Sequence, residues 1–369
     1  MRGVHRILLL GVLLAALLPA ADAAAARPLQ KALWGPAAID GVSQFPLYKD
    51  LDVDLFQIQL RWERVATDRP ADPTNPADPV YRWPKDLDLA VEEGRRHGVK
   101  VLVLVQGAPT WSNGRLPWTT PPEDVRDYAN FLVAAARRYP SVRHWMIWGE
   151  PLRNINWPGF DRSDQGRLRI AQTYARLLDA AYAALKRESR RNVVIGGNTF
   201  TTDRTSQSWA PVPLYEWMRI LRLPNGKVPR MDLWGHNPFT IRFPRLKDPP
   251  SANQGDFSDL DRVLGRLKRT VSRKARRRIP LFVSEWCLPT GPNDLFRLEL
   301  TYQQQARWLR RAFAIARARR DIWGMGWWEL QDDRPPEGSD RANRCGLLDA
   351  DGNQKPAADV FRRARTARR

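Results

Sequence analysis

The sequence predicts an α/β fold, a single domain closed as a (β/α)8 barrel. Three observations carry that expectation. Eight short apolar runs follow one another along the chain. Helical periodicity fills the intervals between them, and from the third run onward the onsets recur every 39 to 48 residues. Parallel strands need a crossover between them, so alternation of this length reads as repeated β/α units. Eight units with no segment left over make a TIM barrel.

In order, the expected strands are Ala32–Gly35, Leu55–Leu60, Val99–Gln106, His144–Trp148, Asn192–Gly196, Met231–His236, Ile279–Ser284 and Ile322–Trp328. Several are continuous apolar runs, as befits strands covered on both faces. Between them, Val125, Tyr128, Ala129, Leu132, Ala136 and Tyr139 follow helical spacing, as do Tyr302, Ala306, Leu309, Phe313 and Ala316. Asp164–Arg187 and Asp256–Ala275 read as long helices, and Pro356–Arg365 as a closing one. Pro84 and Pro121 stand where helix starts are expected. The Pro- and Asp-rich stretch Thr67–Pro79 reads as a long βα loop, because proline removes backbone donors and fixes φ.

Residues 1–26 read as a signal peptide: Arg2 and Arg6 precede the apolar run Ile7–Leu18, and alanines follow from Ala20. That run is short for a bilayer span and no second one follows, so the expectation is export of a barrel domain over 27–369, not anchoring. Two cysteines, Cys287 and Cys345, allow one disulfide or two separate buried thiols. The formal net charge is +20. Its basic residues come as scattered pairs such as Arg95/Arg96 and Arg310/Arg311, which fits a solvated surface. A patch for an anionic glycan or a cell wall is the other reading. No nucleic-acid motif is recognisable, so no nucleic-acid partner is expected.

In such a barrel, chemistry sits at the carboxyl ends of the strands. Glu150 ends the fourth strand and Glu285 the seventh, on opposite sides of the barrel mouth. A pair of carboxyls facing one bond is what glycoside cleavage requires, one protonated to release the leaving oxygen and one ionised. Trp148 and Trp286 offer apolar walls that raise a neighbouring carboxyl, without saying which. A separation of about 5–5.5 Å would give retention of configuration and about 6.5–9.5 Å inversion.

Around these glutamates the chain resembles glycoside hydrolase clan A, in the style of families 5 and 39, over nearly all of residues 27–369. Trp148-Gly149-Glu150-Pro151 resembles the clan's Trp-Asn-Glu-Pro motif, which implies Glu150 as acid/base. Ser284-Glu285-Trp286 resembles the motif holding the nucleophile, which implies Glu285 in that role. By the same resemblance Arg61 supports the nucleophile, His236 ends strand six as a site histidine, and Trp328 floors the sugar site. Gly346-Leu347-Leu348-Asp349 through Lys355-Pro356-Ala357 looks like the clan's run after strand eight. The resemblance implies a secreted retaining glycosidase acting on an oligo- or polysaccharide with β-linkages.

Two departures stand out. Gly149 replaces the asparagine that hydrogen-bonds the sugar 2-hydroxyl in the clan, with Asn154 or Asn156 as replacements within reach. His236-Asn237-Pro238-Phe239 lacks the clan's tyrosine. A barrel that only binds carbohydrate, and a transglycosylase, therefore remain alternatives. Sixteen tryptophans fit sugar stacking, with Trp111, Trp118, Trp157 and Trp209 expected as loop platforms. No cofactor and no metal are expected: there is no Walker loop, dinucleotide fingerprint or His-Glu-x-x-His spacing.

Overall fold

A computed structural model of the chain describes residues 28–158, 163–202, 212–240, 242–244, 255–293 and 298–364. The leader, Trp209 and the last five residues lie outside the described residues.

Eight parallel strands close a barrel: β1 (Gln30–Trp34), β2 (Leu55–Arg61), β3 (Lys100–Gln106), β4 (His144–Ile147), β5 (Val193–Phe200), β6 (Leu233–Asn237), β7 (Leu281–Val283) and β8 (Ile322–Trp327). Each strand pairs with its sequence neighbours, and β1 closes the ring. Ala32 lies beside Leu55 on one side and Gly326 on the other. Several strand ends differ from expectation by one to four residues, β5 and β7 among them. β7 starts only after Pro280, which has no N–H to give to the ladder. β5 runs on to Phe200 through an irregularity between Gly196 and Thr199.

Side-chain alternation sorts each strand into two layers. Ala32, Leu55, Leu102, Leu104, Met146, Ile195, Leu233 and Phe282 pack together inside the barrel. Phe56, Leu60, Val103 and Trp234 face the helices, in the larger outer core. Those helices are α1 (Phe45–Asp50), α2 (Lys85–His97), α3 (Val125–Arg138), α4 (Asp164–Glu188), α5 (Leu214–Ile220), α6 (Leu260–Leu267), α7 (Tyr302–Arg317) and α8 (Pro356–Arg362). Asp124 and Ser163 cap α3 and α4 through their side chains, and Thr301 with Gln304 forms a reciprocal capping box on α7. Pro84 is the cap residue of α2, whereas Pro121 lies in the loop upstream of Asp124. The long helix expected over Asp256–Ala275 is divided: a 3-10 turn precedes α6, and a π-helical stretch at Lys268–Ser272 follows it. Thr67–Pro79 is a loop of turns, braced by Trp83 Nε1 on the Pro76 carbonyl.

Two buried lysines fasten the ends of the barrel. Lys31 on β1 donates to the carbonyls of Phe361 and Arg362 at the end of α8 and pairs with Asp52 at 2.9 Å. The last carbonyls of a helix favour a cation, so this contact ties the closing helix to the first strand. Burial pulls the Lys31 pKa down while Asp52 opposes it. Past β8, Lys355 donates to Thr290 Oγ1 (2.9 Å) and pairs with Asp332 (2.7 Å). Cys287 and Cys345 form a disulfide between the segments that follow β7 and β8, across a sequence separation of 58.

Cross-linking a loop of that length stabilises by about 4 kcal/mol in the chain-entropy account. Replacing both cysteines by alanine is expected to lower the thermal midpoint by several degrees. The added reductant that shifts the wild type should leave the double variant unmoved. Equal midpoints for the two proteins under non-reducing conditions would contradict the assignment.

Candidate active site

A cleft of about 900 Å3 opens at the carboxyl ends of the strands. Its walls carry Glu150, Glu285, Glu329, Asp332 and Asp333 against Arg153 and Arg334, with the amides of Gln57, Gln59, Gln106 and Asn156 and the rings of Trp34 and Trp328. A cavity of about 600 Å3 between α7 and α8 is lined by mostly apolar and basic side chains, with Asp359 its one carboxylate, and so holds no carboxylate pair. The cleft at the strand ends is therefore where paired-carboxyl chemistry can occur.

Glu150 reaches the cleft through an unusual exit from β4. Trp148 and Glu150 both have positive φ, 58° and 41°, which costs non-glycine residues roughly 1–2 kcal/mol each. Surrounding bonds hold that turn. Asn198 Nδ2 donates to the carbonyls of Ile147 (2.8 Å) and Trp148 (2.6 Å), and Trp148 Nε1 donates to the Asn156 carbonyl (2.8 Å). The loop thus folds back over the carboxylate. Glu150 Oε2 accepts from Arg153 Nη1 at 2.8 Å and from Asn156 Nδ2 at 3.3 Å.

Glu285 is placed by its neighbour. The Ser284 carbonyl accepts from Trp34 Nε1 and Gln57 Nε2, both at 3.0 Å, and Ser284 Oγ donates to Asn237 Oδ1 at 2.7 Å. That last bond orients the Asn237 amide so its nitrogen faces the cleft. Asn237 Nδ2 then donates to Glu150 Oε1 at 2.7 Å and to Glu285 Oε2 at 3.3 Å. Two oxygens on one nitrogen at those distances are no more than about 6 Å apart.

Two carboxylates this close in a buried site do not both ionise at neutral pH. Loss of solvation, and then the Glu150 charge, push the Glu285 carboxyl up to about 8, against the pull of Arg153. Glu329 is also pushed up to about 8, by burial and by Asp333 and Asp332, and it accepts a hydrogen bond from Asn343.

Of the residues expected at the site, Glu150, Glu285 and Trp328 meet in the cleft. Asn156, one of the two asparagines expected within reach, lines it as well, and the remaining candidates do not. Arg61 does not support Glu285: it pairs with Glu63, in the helical turn after β2, and lies 3.5 Å over the Trp118 ring. His236 is fully buried facing the outer layer, held by Thr199 Oγ1 (2.9 Å) and the Gly255 carbonyl (2.6 Å). Alternation explains it, since inward Leu233 puts Asn237, not His236, in the interior. Trp148 and Trp286 are fully buried in the outer core, Trp286 against Trp327 and Phe257. Trp111 packs edge-on against Trp62 and bonds the Ala66 carbonyl, and Trp118 carries Arg61. Trp157 is buried against Trp148 and Tyr174. Asn154 is exposed on the loop, and Asn156 takes the contact with Glu150 instead.

Trp34, Gln57, Gln106, Arg153 and Asn237 are the additions. Counting alternate residues from inward Ala32, Leu55, Leu102 and Leu233 would have found four of them. β8 ends at Trp327, so alternation no longer governs Trp328 and Glu329, and both line the cleft. Among the described residues no group of three or more His, Cys, Asp or Glu side chains could hold a metal ion.

A barrel with one glutamate at the end of β4, one at the end of β7 and an amide between them defines the class of site. Solved structures share the fold. A family 39 glycoside hydrolase from Bacteroides cellulosilyticus WH2 superposes with a TM-score of 0.62 at 17% identity, over 92% of this chain and 64% of its own. A glucosidase from Croceicoccus marinus gives 0.62 at 15%, over 92% and 66%. A monomeric beta-xylosidase from Caulobacter crescentus CB15 gives 0.59 at 16%, over 92% and 69%. The chain thus spans about two thirds of the length of these proteins. No protein-family model matches the sequence, and no curated protein matches it.

Glu285 is raised from 4.5 to about 8, so between those values the folded protein keeps a proton that the unfolded chain releases. Stability from this group is therefore greatest at low pH and declines as pH rises through that window. Glu285→Gln removes the titration. The wild-type midpoint should fall further than the variant's between about pH 5 and pH 8; parallel curves would contradict the assignment.

Proposed function

We propose that the chain is a retaining glycoside hydrolase that cleaves O-glycosidic bonds of a β-linked glycan. One observation carries the reading: the Asn237 amide bridges the two carboxylates, which keeps one oxygen of each within about 6 Å of the other. A one-step inverting attack needs room for water between the carboxyls, about 6.5–9.5 Å, whereas a covalent intermediate needs about 5–5.5 Å. The same closeness speaks against a barrel that only binds sugar.

In this reading Glu150 gives its proton to the leaving oxygen while a Glu285 oxygen bonds to the anomeric carbon. Glu150 then takes a proton from water as that water displaces Glu285, restoring both groups. Burial and its charged neighbour favour a proton on Glu285 before substrate binds, and Arg153 pairs with Glu150. Substrate has to move it. Positive charge developing at the anomeric carbon favours the Glu285 carboxylate, and a leaving-group oxygen at Glu150 competes with Arg153 for the same carboxyl.

That ion pair favours a second reading, in which the roles are exchanged and Glu150 attacks. A sugar acceptor in place of water would make the enzyme a transglycosylase, which product analysis at high acceptor concentration separates. The solved neighbours described as a glucosidase and a beta-xylosidase make β-glucosides and β-xylosides the first substrates to try. Export remains part of the proposal, supported by the residues 1–26. Among the described residues no helix is long and apolar enough to cross a membrane. Carboxylates outnumber arginines in the cleft, five to two, so contact with an anionic glycan or cell wall would use the basic surface outside it.

Glu285→Ala is expected to lose at least about a thousandfold in turnover of activated aryl glycosides. Glu150→Ala should be rescued by azide, giving a glycosyl azide of unchanged anomeric configuration. Rescue with that product in Glu285→Ala would exchange the roles. Full activity of Glu285→Ala would end the proposal.

A further inference from the structure

Gln106 ends β3 and lines the cleft although only 3% of it is exposed. Its Oε1 accepts from the Gly149 N–H at 3.2 Å and from Gln59 Nε2 at 3.3 Å. A backbone N–H can only donate, so the amide is oriented with its oxygen toward Gly149 and its nitrogen turned away. That nitrogen has no hydrogen-bond partner among the described residues, and it is not sealed from the cleft. An amide donor oriented by its own oxygen and open to the cleft is available to a hydroxyl bound there.

Gly149 belongs to the same device. A Cβ there would lie 2.7 Å from Gln106 Oε1 and 3.5 Å from Leu104 Cδ2. Any side chain at 149 would push the Gln106 amide off its place. The flanking residues Trp148 and Glu150 adopt positive φ and Gly149 does not, so the glycine answers a demand for space, not for backbone freedom.

We infer that Gln106 Nε2 is the donor that binds the sugar hydroxyl beside the anomeric carbon, and that Gly149 is the space kept for it. This rests on the glycosidase reading above. The residue whose amide holds Gln106 immediately precedes Glu150, the carboxyl that meets the glycosidic oxygen. A donor at this position therefore meets the ring next to the reacting carbon, where hydrogen bonds that strengthen in the transition state act. Recognition of that hydroxyl comes from the third strand, not from the residue before the acid/base glutamate.

The test compares 4-nitrophenyl β-D-xyloside and β-D-glucoside with their 2-deoxy counterparts. It uses the wild type, Gln106→Met, Gln106→Ala and Gly149→Ala, with thermal melts to check folding. Gly149→Ala displaces the amide without altering it, so it serves if the Gln106 variants do not fold. In each variant kcat/KM for the hydroxylated substrate should fall about 100-fold, and for the 2-deoxy substrate by less than about threefold. Equal losses on both substrates, or no loss on either, would overturn the inference and leave the glycosidase reading standing. A wild type that cleaves neither these hydroxylated glycosides nor the matching mannoside, galactoside and arabinoside takes both down together.

Discussion

Everything at the mouth of this barrel depends on two carboxyls held by one amide. Asn237 Nδ2 touches both Glu150 and Glu285. At that spacing in a poorly solvated cleft, the charges repel strongly enough for one proton to stay. The proton is not a nuisance of burial. An acid and a nucleophile are the two states of such a pair, and the surroundings decide which carboxyl holds which role at which moment. Arg153 and Asn156 attend Glu150, while Glu285 has burial on one side and a charged neighbour on the other.

The rest of the fold supplies precision for that contact. Ser284 is held on three sides, by Trp34 of β1, Gln57 of β2 and Asn237 of β6, so the residue just before Glu285 is fixed by three strands. Asn198 pins the carbonyls of the strained exit from β4. Trp328 packs against the cluster of Phe239 and the Cys287–Cys345 disulfide, which links one wall of the cleft to the segment after β7. Placing a site across several strand ends makes the geometry a property of the whole barrel, which is why packing outside the cleft matters to it.

The barrel was legible because period and length suffice for it: apolar runs with helices between them at β/α spacing admit few other folds. The two glutamates were legible because each stands at the end of such a run. What surrounds them was less so. Motif resemblance placed His236 and Arg61 in the site, yet one faces the outer layer and the other turns to Glu63 and Trp118. The residues that surround the pair, Asn237, Gln57 and Gln106, are amides without a motif. They show only as polar residues on the inward parity of strands, and that parity needs one known inward neighbour before it can be counted. The tryptophans misled for a related reason: indoles serve the outer core as well as sugars, and loop position alone does not separate the uses. The missing side chain at 149 read as a loss, and its meaning lay in Gln106, 43 positions away in sequence.

The most direct measurement of the central claim is covalent. Incubating the wild type with a 2-deoxy-2-fluoro-β-glycosyl fluoride, which slows the second step more than the first, should leave one glycosyl adduct per chain. Peptide mass analysis should place it on Glu285. An adduct on Glu150 would reverse the assignment, and hydrolysis with inverted anomeric configuration would contradict the account of two close carboxyls sharing one proton.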